Sequence, residues 1–114
     1  MDISGIVGEE LVAVEFVQDY LQLRFDTPLL TLYSWPHVLL SEFSIAYGEP
    51  EYRNALCSLI GEKVEEATLE VGDSLTLKFE NDTVIALSLR EEDLDGPEAG
   101  AYSPTGSVAD QMEF

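Results

Sequence analysis

The chain has 114 residues, 46% of them hydrophobic, which is enough for one globular domain with a single core. Its 23 acidic residues against five lysines and arginines give a net charge of −18, so its surface repels nucleic-acid phosphates and anionic membranes. The sequence has no apolar run near the ~20 residues of a membrane span, no basic signal-peptide start and only one cysteine, Cys57, so we expect a cytoplasmic protein.

The first predicted unit is a three-stranded antiparallel meander over about residues 8–34. Apolar and polar residues alternate along it, which is typical of strands with one buried face. Two short turns, at Gln18-Asp19 and at residues 26–28, separate the strands, and the third strand is expected at residues 29–33. The expected inward side chains are Val12, Val14, Phe16, Leu21, Leu23 and Phe25.

A short helix is predicted at about residues 50–60. Pro50 can occupy its first turn and Gly61 can end it. Its apolar residues recur at helical spacing and form one stripe: Tyr52, Ala55, Leu56, Leu59 and Ile60. The preceding segment, residues 38–47, is predicted to be a bent strand or an extended crossover.

A second meander is predicted over about residues 61–90. Its turns are Gly72-Asp73 and Asn81-Asp82, which tolerate the positive φ of tight hairpins. Its expected inward side chains are Ala67, Leu69, Val71, Leu75, Leu77, Phe79, Ile85, Leu87 and Leu89.

The two meanders form an internal repeat. When Phe25 is aligned with Phe79, Leu23 falls on Leu77 and Val17 on Val71. One three-stranded sheet cannot bury its apolar face alone, so we expect the copies to pack as a sandwich or small barrel. The sequence therefore predicts a mainly β (α+β) fold, with residues 1–102 as one domain and residues 103–114 as a flexible acidic tail.

The sequence contains no residue set that identifies an enzyme. A catalytic Cys57–His37 pair is disfavoured because Cys57 lies beside the apolar stripe, where we expect a small core residue. One cysteine and one histidine cannot provide the usual zinc ligands. Residues 91–102 imitate a calcium loop but have Tyr102 where a bidentate Glu is required. We therefore predict no enzyme activity, cofactor or metal.

Aromatic residues concentrate between the two copies, where Tyr33, Trp35, Phe43, Tyr47 and Tyr52 fall close together. Tyrosine and tryptophan are enriched in protein interfaces, although these rings could also plug one end of the core. A run of acids follows the last predicted strand. The residues predicted to bind a partner are Tyr33, Trp35, His37, Tyr47, Glu91, Glu92, Asp93 and Asp95.

Three short motifs resemble those of small uncharacterised bacterial β-domain proteins, which include some immunity proteins of polymorphic toxin systems. They are the hairpin with Gly72-Asp73 and Phe79, the junction Leu59-Ile60-Gly61, and Gly96-Pro97-Glu98-Ala99. The resemblance covers roughly residues 8–102. It implies a cytoplasmic protein that works by binding another protein, and it implies no catalytic residues.

These observations favour a non-enzymatic acidic domain that binds a basic protein, including the case of an immunity protein that masks a basic toxin. Two other hypotheses stay open. The chain could self-associate as a structural domain, for example as a homodimer through its sheet edges. It could also carry a small apolar ligand inside its β core.

Overall fold

The computed structural model describes all residues, 1–114, as ten strands and one short α-helix. Three 3-10 helices lie at Ser4–Ile6, Glu91–Asp93 and Val108–Asp110. In chain order the elements are β1 (Leu11–Val17), β2 (Tyr20–Phe25), β3 (Leu29–Leu32), β4 (His37–Leu39), β5 (Ser44–Ile45), α1 (Tyr52–Cys57), β6 (Val64–Glu70), β7 (Ser74–Phe79), β8 (Val84–Ser88), β9 (Gly100–Ser103) and β10 (Met112–Glu113).

The strands form two five-stranded antiparallel sheets that pack together as a sandwich. The first has the order β1-β2-β3-β9-β10 and the second the order β5-β4-β8-β7-β6. Both predicted meanders are present, as β1-β2-β3 and as β6-β7-β8. The expected mainly β fold with one short helix between two meanders is thus confirmed.

Each half of the chain completes the other half's sheet. Strand β4 leaves the first meander and pairs with β8, whereas β9 leaves the second meander and pairs with β3. Strands β5 and β10 then add outside β4 and β9. The two halves are therefore interlocked by an exchange of two strands each, which alternation along the sequence did not predict.

The exchange is symmetric about a pseudo-two-fold axis at the Glu10–Lys63 bridge. Gly8 N donates to Val64 O and Gly61 N donates to Leu11 O, both at 2.8 Å. Both glycines have positive φ, 86° and 95°, a conformation that side chains disfavour. The segments before them are also equivalent, because Ile3 and Ile6 close one side of the core as Leu56 and Leu59 close the other.

The structure corrects the predicted alignment of the two copies at the first hairpin. The strand pairs show that Phe16 corresponds to Leu69 and Val17 to Glu70, so the extra residue of the second copy lies in its turn. Val71 belongs to that turn and is 81% exposed, and it was wrongly predicted to face inward.

Val12 is likewise exposed, because a β-bulge between Leu11 and Ala13 turns it away from the core. The equivalent bulge between Val64 and Glu66 occurs in β6.

The ends of two predicted elements also differ from the sequence expectation. The helix stops at Cys57, about one turn early, and its buried residues are Tyr52 and Leu56. Cys57 is exposed rather than part of the core, as is Ile60 beyond the helix end. The segment 103–114 contains a 3-10 helix and β10, and Phe114 O accepts a bond from Ala99 N at 2.6 Å. It differs from the expected flexible tail because β9 leaves an open edge that β10 can pair with.

One contiguous core fills the space between the sheets. Leu21, Leu23, Leu77 and Phe79 are fully buried in it, in agreement with the predicted inward positions. Each such side chain contributes about 1.5–3 kcal/mol of hydrophobic free energy. None of the helices has the length and apolar character needed to cross a membrane.

Candidate functional site

Four aromatic side chains form a continuous cluster at one end of the sandwich. The Trp35 ring stacks with Tyr47, with centroids 4.4 Å apart, and with Phe16, at 6.4 Å, and both pairs are within 13° of parallel. The edge of Tyr52 meets Tyr47 at 5.7 Å and 87°. Stacked and edge-to-face pairs of this kind are each worth about 0.5–1.5 kcal/mol beyond their buried area.

Different elements supply the four rings. Phe16 lies near the end of β1, Trp35 in the link from β3 to β4, Tyr47 just after β5, and Tyr52 at the start of α1. The turn that carries Tyr47 is closed by Glu49, whose carboxylate accepts a bond from Ala46 N at 2.5 Å. The cluster therefore depends on the strand exchange, since it forms where the chain crosses from β3 in the first sheet to β4 and β5 in the second.

Tyr52 anchors the cluster to the backbone. Its hydroxyl donates to Pro36 O at 2.5 Å, next to Trp35, and its side chain is only 2% exposed. Burial raises the pKa of the Tyr52 hydroxyl well above its usual range, so the group stays protonated and keeps donating at any physiological pH.

The cluster opens to solvent through a groove of about 210 Å³. Its lining comprises the four rings together with Val17, Gln18 and Arg53. A neighbouring groove of about 330 Å³ shares Tyr47, Tyr52 and Arg53 with it and extends to Glu49 and Pro50. Two further depressions continue from Pro50 to Phe43, Leu40 and Ala55.

We call this continuous surface the aromatic surface. Its two most prominent side chains are Phe43, 60% exposed, and Tyr47, 57% exposed. Large rings this exposed lower the solubility of a protein, and apolar patches with polar rims mark interaction sites.

Carboxylates border the aromatic surface. Glu49 and Glu51 line its grooves, and exposed Glu42 precedes Phe43. Elsewhere, three of the five basic residues pair with acids: Arg24 with Glu15, Lys78 with Glu65, and Arg90 with Asp73. All three pairs are exposed and stabilise the fold little. Most of the acidic charge therefore remains without a basic partner inside the molecule.

The repeat offers an internal comparison for this surface. Side chains that packing requires recur in both copies, as Leu23 and Leu77 do. At the positions equivalent to Phe16, Trp35 and Tyr47, the strand register places Leu69, Ala99 and Phe114. The stacked cluster is thus confined to one copy, so the fold does not require it.

The other predicted partner-binding residues lie away from the cluster. The Tyr33 hydroxyl donates to Glu113 at 3.1 Å, and burial together with that carboxylate raises the Tyr33 pKa. His37 and Asp93 line a polar cleft of about 450 Å³ on the outer face of the second sheet.

Ser88 donates to Asp93 at 2.6 Å in that cleft. Glu91 and Glu92 are exposed on the adjoining 3-10 helix, and exposed Asp95 follows it. Of the eight predicted residues, the structure joins only Trp35 and Tyr47 in the aromatic cluster and only His37 and Asp93 in the cleft.

Two residues of the aromatic surface were missed from the sequence. Phe16 was predicted to be an ordinary inward strand residue, and Arg53 was not singled out. The internal repeat carried a signal for Phe16, because the corrected alignment pairs this aromatic residue of the first copy with the aliphatic Leu69 of the second copy.

Comparison with known proteins gives no match among family models, curated proteins or solved structures. No three His, Cys, Asp or Glu side chains are grouped so as to hold a metal ion.

Proposed function

We propose that this chain is a non-enzymatic binding domain that docks a basic protein on its aromatic surface. The observation that carries the proposal is the exposure of Phe43 and Tyr47 beside the stacked Trp35, within a molecule of net charge −18. Trp, Tyr and Arg dominate the energetics of protein interfaces, and this surface combines all three.

Charge and aromatic rings would contribute to different stages of binding. The uncompensated carboxylates accelerate encounter with a basic protein, and this effect weakens as salt is added. The rings exclude water after docking and so slow dissociation. We propose an immunity protein that masks a basic toxin as the specific form of this function, because the toxin's basic surface would meet both features.

A pull-down followed by a variant series tests the proposal. The immobilised protein should retain a basic protein at low salt and retain less of it at moderate salt. The double variant W35A/Y47A should reduce retention at least tenfold, whereas the matched control Val71→Ala, on an exposed turn outside the aromatic surface, should not change it. Retention that is equal for all variants would contradict docking on this surface.

The immunity function has a separate test in cells. A toxin encoded beside this chain should stop growth when expressed alone and should be neutralised by coexpression with the wild-type chain. Coexpression with W35A/Y47A should not restore growth, provided that the variant accumulates to the wild-type level. Neutralisation by both proteins alike would refute a role for the aromatic surface.

Two alternative functions would be revealed by simple measurements. Light scattering at high concentration would detect self-association, for which the two sheets offer two short edge strands, β5 and β10, and two seven-residue edge strands, β1 and β6. Thermal stabilisation by a lipid-like ligand would indicate a carrier. The five principal depressions all lie at the surface, and none is lined by Leu21, Leu23 or Leu77 of the core.

A further inference from the structure

Seven side chains line the groove of about 210 Å³ at the aromatic cluster, and one of them, Arg53, is a cation. The guanidinium carbon of Arg53 lies 5.8 Å from the centre of the Phe16 ring. Such a distance allows a cation–π interaction, because the face of an aromatic ring is electron-rich.

Arg53 differs from the other arginines in having no carboxylate partner. Arg24 and Arg90 both form ion pairs, but Arg53 forms none in a chain with 23 acidic residues. Its guanidinium rests on a ring instead, at the end of a flexible and exposed side chain. The groove therefore already holds a guanidinium group, held by weak contacts.

We propose that this groove is a binding site for an arginine side chain of the basic partner, and that Arg53 occupies it in the free protein. The inference rests on the proposed function, since it names the chemical group that the partner presents. The incoming guanidinium displaces that of Arg53 and takes its place among the rings of Phe16, Trp35 and Tyr47.

The chemistry of the groove suits this ligand. A guanidinium already lies over the face of Phe16, and a planar guanidinium both makes cation–π contacts and stacks on ring faces. Glu49 lines the adjoining groove and Glu51 the next depression, so carboxylates lie along the path by which a basic segment would approach. The displaced Arg53 would move into solvent, where its charge is fully hydrated.

The experiment uses the single tryptophan as the reporter, because Trp35 is the only one in the chain and lies in the groove. The probe is a synthetic peptide of Gly-Arg repeats, and its control is the same peptide with citrulline, an uncharged isostere, in place of arginine. We expect the arginine peptide to change Trp35 fluorescence saturably and the citrulline peptide to have no effect.

Two variants with equal net charge isolate the role of Arg53. Arg53→Met and Lys63→Met each remove one base, and neither residue forms an ion pair in the free protein. If Arg53 competes for the groove, R53M should bind the arginine peptide about two- to fivefold more tightly than K63M, the range expected for one exposed cation–π contact.

The proposal is overturned if R53M binds no more tightly than K63M, or if the arginine peptide binds without changing Trp35 fluorescence. Either result would still be compatible with the proposed function if W35A/Y47A failed to retain the basic protein in the pull-down. If the peptide result holds but no basic protein is retained by the wild type, the groove binds guanidinium and the proposed function fails.

Discussion

The strand exchange predicts that a cavity in either half destabilises the whole molecule. Leu23 in β2 and Leu77 in β7 occupy equivalent positions and are both fully buried in the shared core. Replacing either with alanine should lower the free energy of unfolding by about 2–5 kcal/mol, the cost of the lost burial plus the residual cavity. That is a large part of the about 5–15 kcal/mol that stabilises a typical domain.

Urea unfolding followed by two probes makes the prediction specific. Trp35 fluorescence reports on the first half of the chain, whereas far-UV circular dichroism reports on both sheets. Because β4 sits in the second sheet and β9 in the first, Leu77→Ala should shift both probes to the same lower midpoint. The exposed control Val71→Ala should change stability by less than about 0.5 kcal/mol.

Separate transitions would refute this reasoning. If Leu77→Ala lowered the circular dichroism midpoint but left the Trp35 midpoint at its wild-type value, the halves would unfold independently. The exchanged strands would then contribute little to cooperativity.

Three further predictions concern the backbone, the buried hydroxyl and the chain connection. Gly8→Ala and Gly61→Ala should each cost about 1–2 kcal/mol in urea unfolding, because an added Cβ meets no atom within 4 Å and only the positive φ opposes it. Unequal costs would contradict the pseudo-two-fold symmetry. Because the pKa of Tyr52 is raised in the folded state, its contribution to the free energy of unfolding is complete below the unfolded pKa of about 10 and is lost as the pH rises further. Tyr52→Phe should be less stable than the wild type at pH 7, but its free energy of unfolding should decline less steeply above pH 10. If the variant lost stability above pH 10 as steeply as the wild type, the loss would come from other titrating groups. A protease site inserted at residues 48–50, in the exposed link before α1, should be cleavable, and the two fragments should still elute together in gel filtration because each sheet contains strands of both. Dissociation of the fragments would show that strand exchange alone does not hold the two halves together.

The candidate site was only partly accessible from the sequence. The density of aromatic residues between the copies located Trp35 and Tyr47, and stacking joins those two rings. Sequence proximity also suggested Tyr33 and His37, but the link from β3 to β4 crosses between sheets, which sends these side chains to other surfaces. Arg53 became part of the site only through its contact with Phe16, which is distant in sequence.

The sequence by itself determined the strands of the two meanders, β1-β2-β3 and β6-β7-β8, and the buried side of β2, β7 and β8. Alternation at period two follows from the geometry of a single strand, so Leu21, Leu23, Leu75 and Leu77 could be assigned to the core without knowledge of any neighbour. The tertiary structure alone decided that β4 pairs with β8 and β9 with β3. Alternation along one strand does not indicate which strand lies beside it, because any neighbouring strand can satisfy the same backbone hydrogen bonds. The pairing is determined by packing between the two halves of the chain.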